Sequence, residues 1–305
     1  MIQAKIIDQF GTMEEFTVEL QLRLLLRPMS YAADLQALRD RAGPPETYHF
    51  EQVRQHVEAA SDQVACVIGG PGEGKSTLAA MMLERDGGGT DFIHAAHFCK
   101  RSDTNRQDVG AIARSLGYQI AQHVDHTGSL MFGLSPEEAE KVQTDPVAAV
   151  QLLVVRQLEG LAAAGRRVVL LVDALDESQE RGINPVVRML QTLGKADTQA
   201  LSVVVTMRPQ PEANLLILKS AFGSDNVREF APSNLHQPVD ISAVLSSEAC
   251  LVGAPEWVAA IQAHEQSKIY VTTCLGYAQA WLAAGRAPSE LPPPPPDIDS
   301  AYRLW

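Results

Sequence analysis

The chain has 305 residues, 46% of them hydrophobic, so it is long enough for a main domain and a smaller companion. Its 37 acidic and 25 basic residues give a formal net charge of -12, which argues against nucleic acid or an anionic membrane surface as the main partner. No signal peptide or membrane span is recognisable, and the four cysteines form no Cys-x-x-Cys pair, which favours a reduced, cytoplasmic setting.

Residues 1–45 are interpreted as an N-terminal extension. Residues 16–24 alternate apolar and polar side chains, which is typical of a strand with one buried face, and with residues 2–7 they predict a β-hairpin. Ser30 is placed to cap a helix over residues 31–41.

A glycine-rich loop follows the apolar run at residues 64–68 and ends in Gly-Lys-Ser, which is the spacing of a nucleotide-binding P-loop. Glycines let the backbone N–H groups turn towards an anion, and the following helix presents its positive end. Lys75 is expected to reach the β- and γ-phosphates and Ser76 to ligate Mg2+. The alternative is a glycine-rich turn without a ligand. The residues assigned to nucleotide binding are Gly69, Gly70, Pro71, Gly72, Glu73, Gly74, Lys75, Ser76 and Thr77.

Apolar runs that alternate with helical segments predict an α/β fold, namely a three-layer P-loop NTPase with a mainly parallel sheet. Beyond the P-loop strand, the predicted strands cover residues 92–98, 167–173, 200–206 and, more weakly, 226–230. The predicted helices cover residues 46–60, 75–85, 107–123, a segment capped by Ser135, and a segment from Pro146 to Ala163.

The core is expected to span residues 46–234 and to be followed by a small helical lobe at 235–290. Residues 291–305 are interpreted as a proline-rich C-terminal tail after this lobe. Its run of prolines at 292–296 is expected to form an extended polyproline spacer, with a recognition role as the alternative.

An acidic segment follows the apolar strand that ends in Asp173, at the edge of a parallel sheet where ligands bind. This is a Walker B arrangement, in which Asp173 would hold Mg2+ and either Asp176 or Glu177 would orient or deprotonate an attacking water. The alternative is a solvated acidic start of a helix.

The next strand brings Thr206 and Arg208 to the same edge, and Arg208 is a candidate sensor of the γ-phosphate because its guanidinium can hold phosphate oxygens bidentately. The alternative is an arginine on a loop beside a proline. His94, His97 and Cys99 lie close in sequence, but buried or surface histidines are expected there rather than a metal site.

The ordered set of motifs resembles the NACHT domain of the STAND class of P-loop NTPases, the NLR-like signalling ATPases. The motifs are Gly-Gly-Pro-Gly-Glu-Gly-Lys-Ser-Thr, His-Phe-Cys-Lys-Arg-Ser-Asp-Thr-Asn-Arg, Leu-Val-Asp-Ala-Leu-Asp-Glu and Thr-Met-Arg-Pro. The resemblance covers roughly residues 46–285. It implies Lys75, Asp173, Asp176, Glu177 and Arg208 as catalytic residues, ATP or ADP with Mg2+ as cofactors, and a part in signal transduction such as innate immunity.

The leading hypothesis is a switch that binds Mg-ATP, hydrolyses it slowly and self-associates on ATP binding. Because a winged helix, a sensor or an effector domain usually accompanies this kind of core, we expect the chain to be the ATPase part of a larger receptor that works with other signalling or sensor domains. The alternative is a truncated relative of such receptors. One alternative is a constitutive P-loop ATPase or small-molecule kinase. The other is an interaction module that does not hydrolyse nucleotide.

Overall fold

The computed structural model describes residues 28–40, 42, 48–83, 92–125, 134–178, 184–196, 199–235, 255–263, 268–287 and 290–295. The predicted hairpin at residues 2–24 lies outside the described residues. So does Cys250, whereas Cys66, Cys99 and Cys274 are buried and form no disulfide with one another.

Five strands form one parallel sheet: β1 (Val64–Ile68), β2 (Ala95–Phe98), β3 (Val168–Asp173), β4 (Leu201–Met207) and β5 (Val227–Phe230). Their order in the sheet is β2-β3-β4-β1-β5. Strand β4 therefore lies between the P-loop strand and the Walker B strand, with Val67 opposite Thr206 and Val172 opposite Val205. The predicted α/β class is confirmed, although β2 begins three residues later than the predicted strand at residue 92.

The described helices lie before, between and after the strands. They are α1 (Ala32–Arg39), α2 (Glu51–Ala59), α3 (Lys75–Met82), α4 (Val109–Asp125), α5 (Pro136–Thr144), α6 (Pro146–Ala163), α7 (Pro185–Lys195), α8 (Ala213–Phe222), α9 (Pro255–Ala263) and α10 (Lys268–Ala283).

The sheet has an apolar core on each face, because successive side chains along a strand point to opposite sides. On one face Cys66 of β1 belongs to a cluster with Leu116 of α4 and Leu158 of α6. On the other face Val67 belongs to a cluster with Val53 of α2 and Leu78 of α3. This gives the three predicted layers, and explains why β1, β3 and β4 are apolar without alternation.

Several predicted caps can be compared with the structure. Ser135 and Glu138 form a capping box at α5. The Glu138 N–H donates to Ser135 Oγ at 3.2 Å, and the Ser135 N–H donates to Glu138 Oε2 at 2.9 Å. Ser30 was expected to cap α1, but this is wrong: Tyr31 takes the cap position without a side-chain bond. The Tyr31 ring instead packs into the second core and anchors α1 there by burial.

By length and composition alone, helix α6 could cross a bilayer, but its apolar side chains pack in the core. Leu153, Leu158 and Leu161 are buried there. A β-carbon at Gly117 of α4 would lie 2.8 Å from the Leu153 carbonyl oxygen, so a glycine is needed where the two helices meet. At this contact α6 contains a π-helical turn, Gln151–Val155.

Helices α9 and α10 build a third apolar cluster, which includes Trp257 and Tyr270. The proline run was expected to be an extended spacer, but its described part packs against this pair. Pro294 and Pro295 are buried, and Trp257 donates a hydrogen bond to the Pro292 carbonyl. The run is held because its carbonyls, which have no partners within a polyproline helix, find donors on the two helices.

Candidate functional site

The P-loop connects β1 to α3 and bends through glycines with positive φ. Gly72 and Gly74 both have φ of 79°, and Gly74 directly precedes the first residue of α3. At Gly69 an added β-carbon would lie 2.7 Å from Cγ of Pro232, which follows β5. The loop thus passes close to the segment after β5, which leaves no room for a side chain at Gly69.

Lys75 begins α3 and turns its amine towards the loop. Its Nζ donates hydrogen bonds to the carbonyl oxygens of Gly69 at 2.8 Å and Gly70 at 2.5 Å. Burial lowers the pKa of Lys75, while the nearby carboxylates of Asp176 and Glu73 oppose that shift. The amine is therefore held over the loop, within the field of the acids that follow β3.

Asp173 ends β3 and is almost fully buried, with 3% of its surface exposed. Thr206 of β4 donates a hydrogen bond to Asp173 Oδ1 at 2.5 Å. Burial raises the pKa of Asp173 to about 6, and hydrogen bonds from Thr206 and Ser76 oppose this. Ser76 and Asp173, the two predicted Mg2+ ligands, are thus brought together.

The backbone turns sharply immediately after Asp173. Ala174 has φ of 52°, which is unfavourable for a residue with a β-carbon, and its N–H donates to Thr206 Oγ1 at 2.9 Å. The next turn, Leu175–Ser178, is secured by Asn184, whose Nδ2 donates to the Leu175 carbonyl at 2.7 Å. This bend keeps the acids of the turn at the edge of the sheet.

Asp176 and Arg208 form a pair across the edge of the sheet. Asp176 Oδ1 accepts a bond of 3.0 Å from the Arg208 N–H, and Oδ2 lies 3.3 Å from Arg208 Nε. The Asp176 side chain is 10% exposed and that of Arg208 is 51% exposed. Asp176 therefore positions Arg208, while the end of the guanidinium stays accessible.

Glu177 has a different environment from Asp176. Its Oε2 accepts a longer bond of 3.4 Å from the Arg101 N–H, in the loop after β2. Because Asp176 is engaged with Arg208, Glu177 is the better candidate to orient a water. The sequence treated the two acids as equivalent, and their separate contacts distinguish them.

The structure gathers the predicted residues at the carboxyl edge of the sheet. Asp173, Asp176 and Arg208 all lie within electrostatic range of Lys75, as the causes of its pKa shift indicate. Glu73 folds its carboxylate back over the loop, where Oε1 would lie 3.1 Å from a β-carbon at Gly70. Pro232 was missed, because nothing in its local sequence indicates that it contacts Gly69.

The histidines near β2 take part in protein hydrogen bonds. His97 is buried, with Nδ1 2.8 Å from the Tyr31 hydroxyl and Nε2 3.0 Å from the Arg106 carbonyl oxygen. His94 Nδ1 accepts a bond of 3.1 Å from the Val169 N–H. Among the residues that the structure describes, no three His, Cys, Asp or Glu side chains converge as a metal site would require.

Comparison with known proteins gives a family and a structural likeness. The model of the family "Nephrocystin 3, N-terminal" matches residues 47–208, more than half of the chain, which include the P-loop, Asp173 and Arg208. Among solved structures, the chain is similar to the Orc1 protein of Aeropyrum pernix in complex with DNA, with a TM-score of 0.42 and 14% identity. That alignment covers 85% of this chain and 65% of the Orc1 chain, so this chain spans less than two thirds of that protein. No curated protein matches the sequence significantly.

Proposed function

This chain belongs to the nephrocystin 3 N-terminal family, and we propose that it is a nucleotide-dependent switch that binds Mg-ATP and hydrolyses it slowly. The observation that carries the proposal is the convergence of the P-loop amine and the two predicted magnesium ligands at one edge of the sheet. A glycine loop at the start of a helix is an anion site, and Lys75 adds a cation beside it.

The donor set fits Mg2+. Ser76 and Asp173 offer oxygen atoms, which Mg2+ prefers, and two ligands are enough because the ion keeps waters and binds the nucleotide phosphates. When bound, the ion would neutralise charge on the phosphates. Thr206 holds the Asp173 carboxylate by a hydrogen bond, so one orientation of this ligand is favoured.

Arg208 is the residue that would bind the γ-phosphate and so distinguish ATP from ADP. Its guanidinium is half exposed and is paired with Asp176. A γ-phosphate would bind the accessible end of this guanidinium while Asp176 holds Nε, whereas ADP lacks that phosphate. This difference supports a switch, since a ligand shifts a conformational equilibrium only through different affinities for the two states.

The finer assignment is a NACHT-type switch in a cytoplasmic receptor or scaffold that self-associates when ATP is bound. The four motifs that resemble the NACHT domain support it. We expect slow turnover, because an arginine supplied by a partner contributes about 10³ to 10⁵ in rate in related phosphoryl transfers. Turnover on the order of 10 per second in the isolated chain would instead favour a constitutive ATPase.

Equilibrium binding of fluorescent ATP and ADP, with and without Mg2+, tests the proposal. The variant is Lys75→Ala, and the matched control is Lys141→Ala, which removes an exposed lysine of α5 that pairs with Glu137. We expect Lys75→Ala to lose ATP binding and Lys141→Ala to retain it. Equal affinity of wild type and Lys75→Ala would contradict nucleotide binding at the P-loop.

The switch is tested separately by measuring the size of the protein in solution with ATP, with ADP and without nucleotide. Association with ATP alone supports the proposal, provided that Lys75→Ala abolishes it. Identical profiles in all three states, in a protein that binds ATP, would contradict the switch and leave nucleotide binding in place.

A further inference from the structure

The proline run is bound to the helix pair by two hydrogen bonds with a regular spacing, in addition to apolar packing. Trp257 Nε1 donates a hydrogen bond to the Pro292 carbonyl at 2.6 Å, and the Tyr270 hydroxyl donates to the Pro295 carbonyl at 2.5 Å. The two accepting carbonyls are three residues apart in sequence. The two donors come from different helices, Trp257 from α9 and Tyr270 from α10.

Three residues are one turn of a left-handed polyproline helix. Each proline fixes its own φ, and a following proline holds the residue before it in extended backbone, so residues 292–294 are confined to this conformation. Carbonyls three residues apart then point in the same direction. Trp257 and Tyr270 therefore contact the same face of the proline segment, one turn apart.

The surface that receives the segment is apolar and largely closed. Trp257 is 5% exposed and Tyr270 is fully buried, in a cluster with Leu275 and Ala278. Pro294 and Pro295 are buried against it, while Pro293 faces away and is exposed. Aromatic rings with a polar hydrogen-bond donor are well suited to proline-rich segments, which offer apolar rings and carbonyls without internal partners.

We propose that the α9–α10 pair is a binding site for polyproline helices, which the chain fills with its own residues 292–295 and which accepts a proline-rich segment of another protein in exchange. The contacts depend on carbonyls and proline rings that any such segment presents. The chain's own segment competes at an effective concentration in the millimolar range, because it is tethered close to α10. This interaction surface is separate from the nucleotide site and does not depend on the proposed switch.

The experiment measures the fluorescence anisotropy of dye-labelled decaproline in titrations with the full-length chain. The first variant carries Pro292→Ser, Pro294→Ser and Pro295→Ser together, which keeps the length of the tail. We expect it to bind decaproline about tenfold or more tightly than wild type does, because the internal competitor is lost. A labelled Gly-Ser peptide of the same length should bind to neither protein.

Two further variants assign the binding to the aromatic donors. Adding Trp257→Phe to the serine variant removes one hydrogen bond and should weaken decaproline binding roughly two- to tenfold. The matched control is Trp281→Phe on α10, because Trp281 donates to the Ala287 carbonyl at 3.2 Å and not to the proline run. The control should bind as the serine variant does.

A second preparation covers the case in which the serine variant fails to fold. A protease recognition sequence inserted between Ala287 and Glu290 allows the protein to fold with its own tail in place and then to be cut. Labelled decaproline should displace the released tail after cleavage and bind much more weakly before it. Decaproline that fails to bind the cut protein, or that binds uncut wild type equally well, overturns the proposal. So does binding that Trp257→Phe leaves unchanged.

Discussion

Asp176 binds Arg208 through two different groups, the backbone N–H at 3.0 Å and the guanidinium Nε at 3.3 Å. One carboxylate therefore holds both the backbone at the start of the loop after β4 and the side chain of Arg208, the candidate sensor. The two residues are separated by 32 positions in sequence. They meet because β3 and β4 are neighbours in the sheet.

Because Asp176 acts through Arg208, the two residues should be energetically coupled. We expect Asp176→Ala and Arg208→Ala each to slow ATP hydrolysis, and the double variant to be little slower than the worse single variant. Single-turnover rates with saturating Mg-ATP provide the measurement. Effects that multiply in the double variant would mean that the two residues act independently.

Glu177 should affect hydrolysis more than binding. We expect Glu177→Gln to bind ATP as wild type does and to hydrolyse it about 10² to 10⁴ times more slowly, because the amide cannot take a proton from water. The nucleotide found after incubation with ATP should then be ATP rather than ADP. Glu140→Gln, at an exposed position of α5, is the control and should retain hydrolysis. A normal rate in Glu177→Gln would transfer the role to Asp176.

Thr206 should be required for the magnesium ligand. Thr206→Val removes the hydroxyl that donates to Asp173 and accepts from the Ala174 N–H, so the buried carboxylate and the part-buried N–H each lose a hydrogen bond. We expect a loss of about 1–3 kcal/mol in unfolding free energy and a higher Mg2+ concentration for half-maximal nucleotide binding.

The conservative variant Thr206→Ser keeps the hydroxyl and should restore the Mg2+ dependence. Urea unfolding and Mg2+ titrations of ATP binding check both variants. Equal Mg2+ midpoints for Thr206→Val and wild type would show that the hydrogen bond does not position Asp173.

His97 should make the fold sensitive to acid. Burial lowers the pKa of His97 from 6.5 to about 4, so below pH 6.5 the unfolded chain takes up a proton that the folded protein does not. The unfolding free energy should therefore fall as the pH falls from 6.5 to 4, by at most about 1.4 kcal/mol per pH unit from this group.

His97→Gln should flatten this part of the pH profile, even though the substitution lowers stability at neutral pH. Urea unfolding at intervals between pH 7 and pH 4 provides the measurement, and His49→Gln, at an exposed position, is the control. Comparison of variants is needed because Asp173, with its raised pKa, contributes a trend of the opposite sign between pH 3.8 and 6. Parallel profiles for wild type and His97→Gln would contradict the assignment.

Much of the candidate site could be predicted from the sequence because its parts are contiguous. The glycines of the P-loop, Lys75 and Ser76 lie within one short segment, whose chemistry requires those residue types in that order. Asp173 ends an apolar run that is typical of a strand buried on both faces. Helix boundaries were less accurate: α2 begins at Glu51 rather than at residue 46, and α4 ends at Asp125 rather than at 123.

The proline run illustrates a different limit. Composition predicts an extended, stiff segment, since proline restricts its own backbone and that of the residue before it. Whether such a segment is a spacer or is packed depends on donors elsewhere in the chain. Trp257 lies 35 residues from the carbonyl that it contacts, so no local pattern includes both partners.

The sequence by itself determined the class of the fold, the phosphate loop and the acidic edge, because each depends on periodicity or on a short motif. Tertiary structure alone decided that β4 lies between β1 and β3, which places Thr206 on Asp173 and Arg208 on Asp176. Strand order results from hydrogen bonds between segments that are distant in the chain, and the side-chain period of a strand is the same whichever neighbour it pairs with. The different contacts of Asp176 and Glu177 follow from that order.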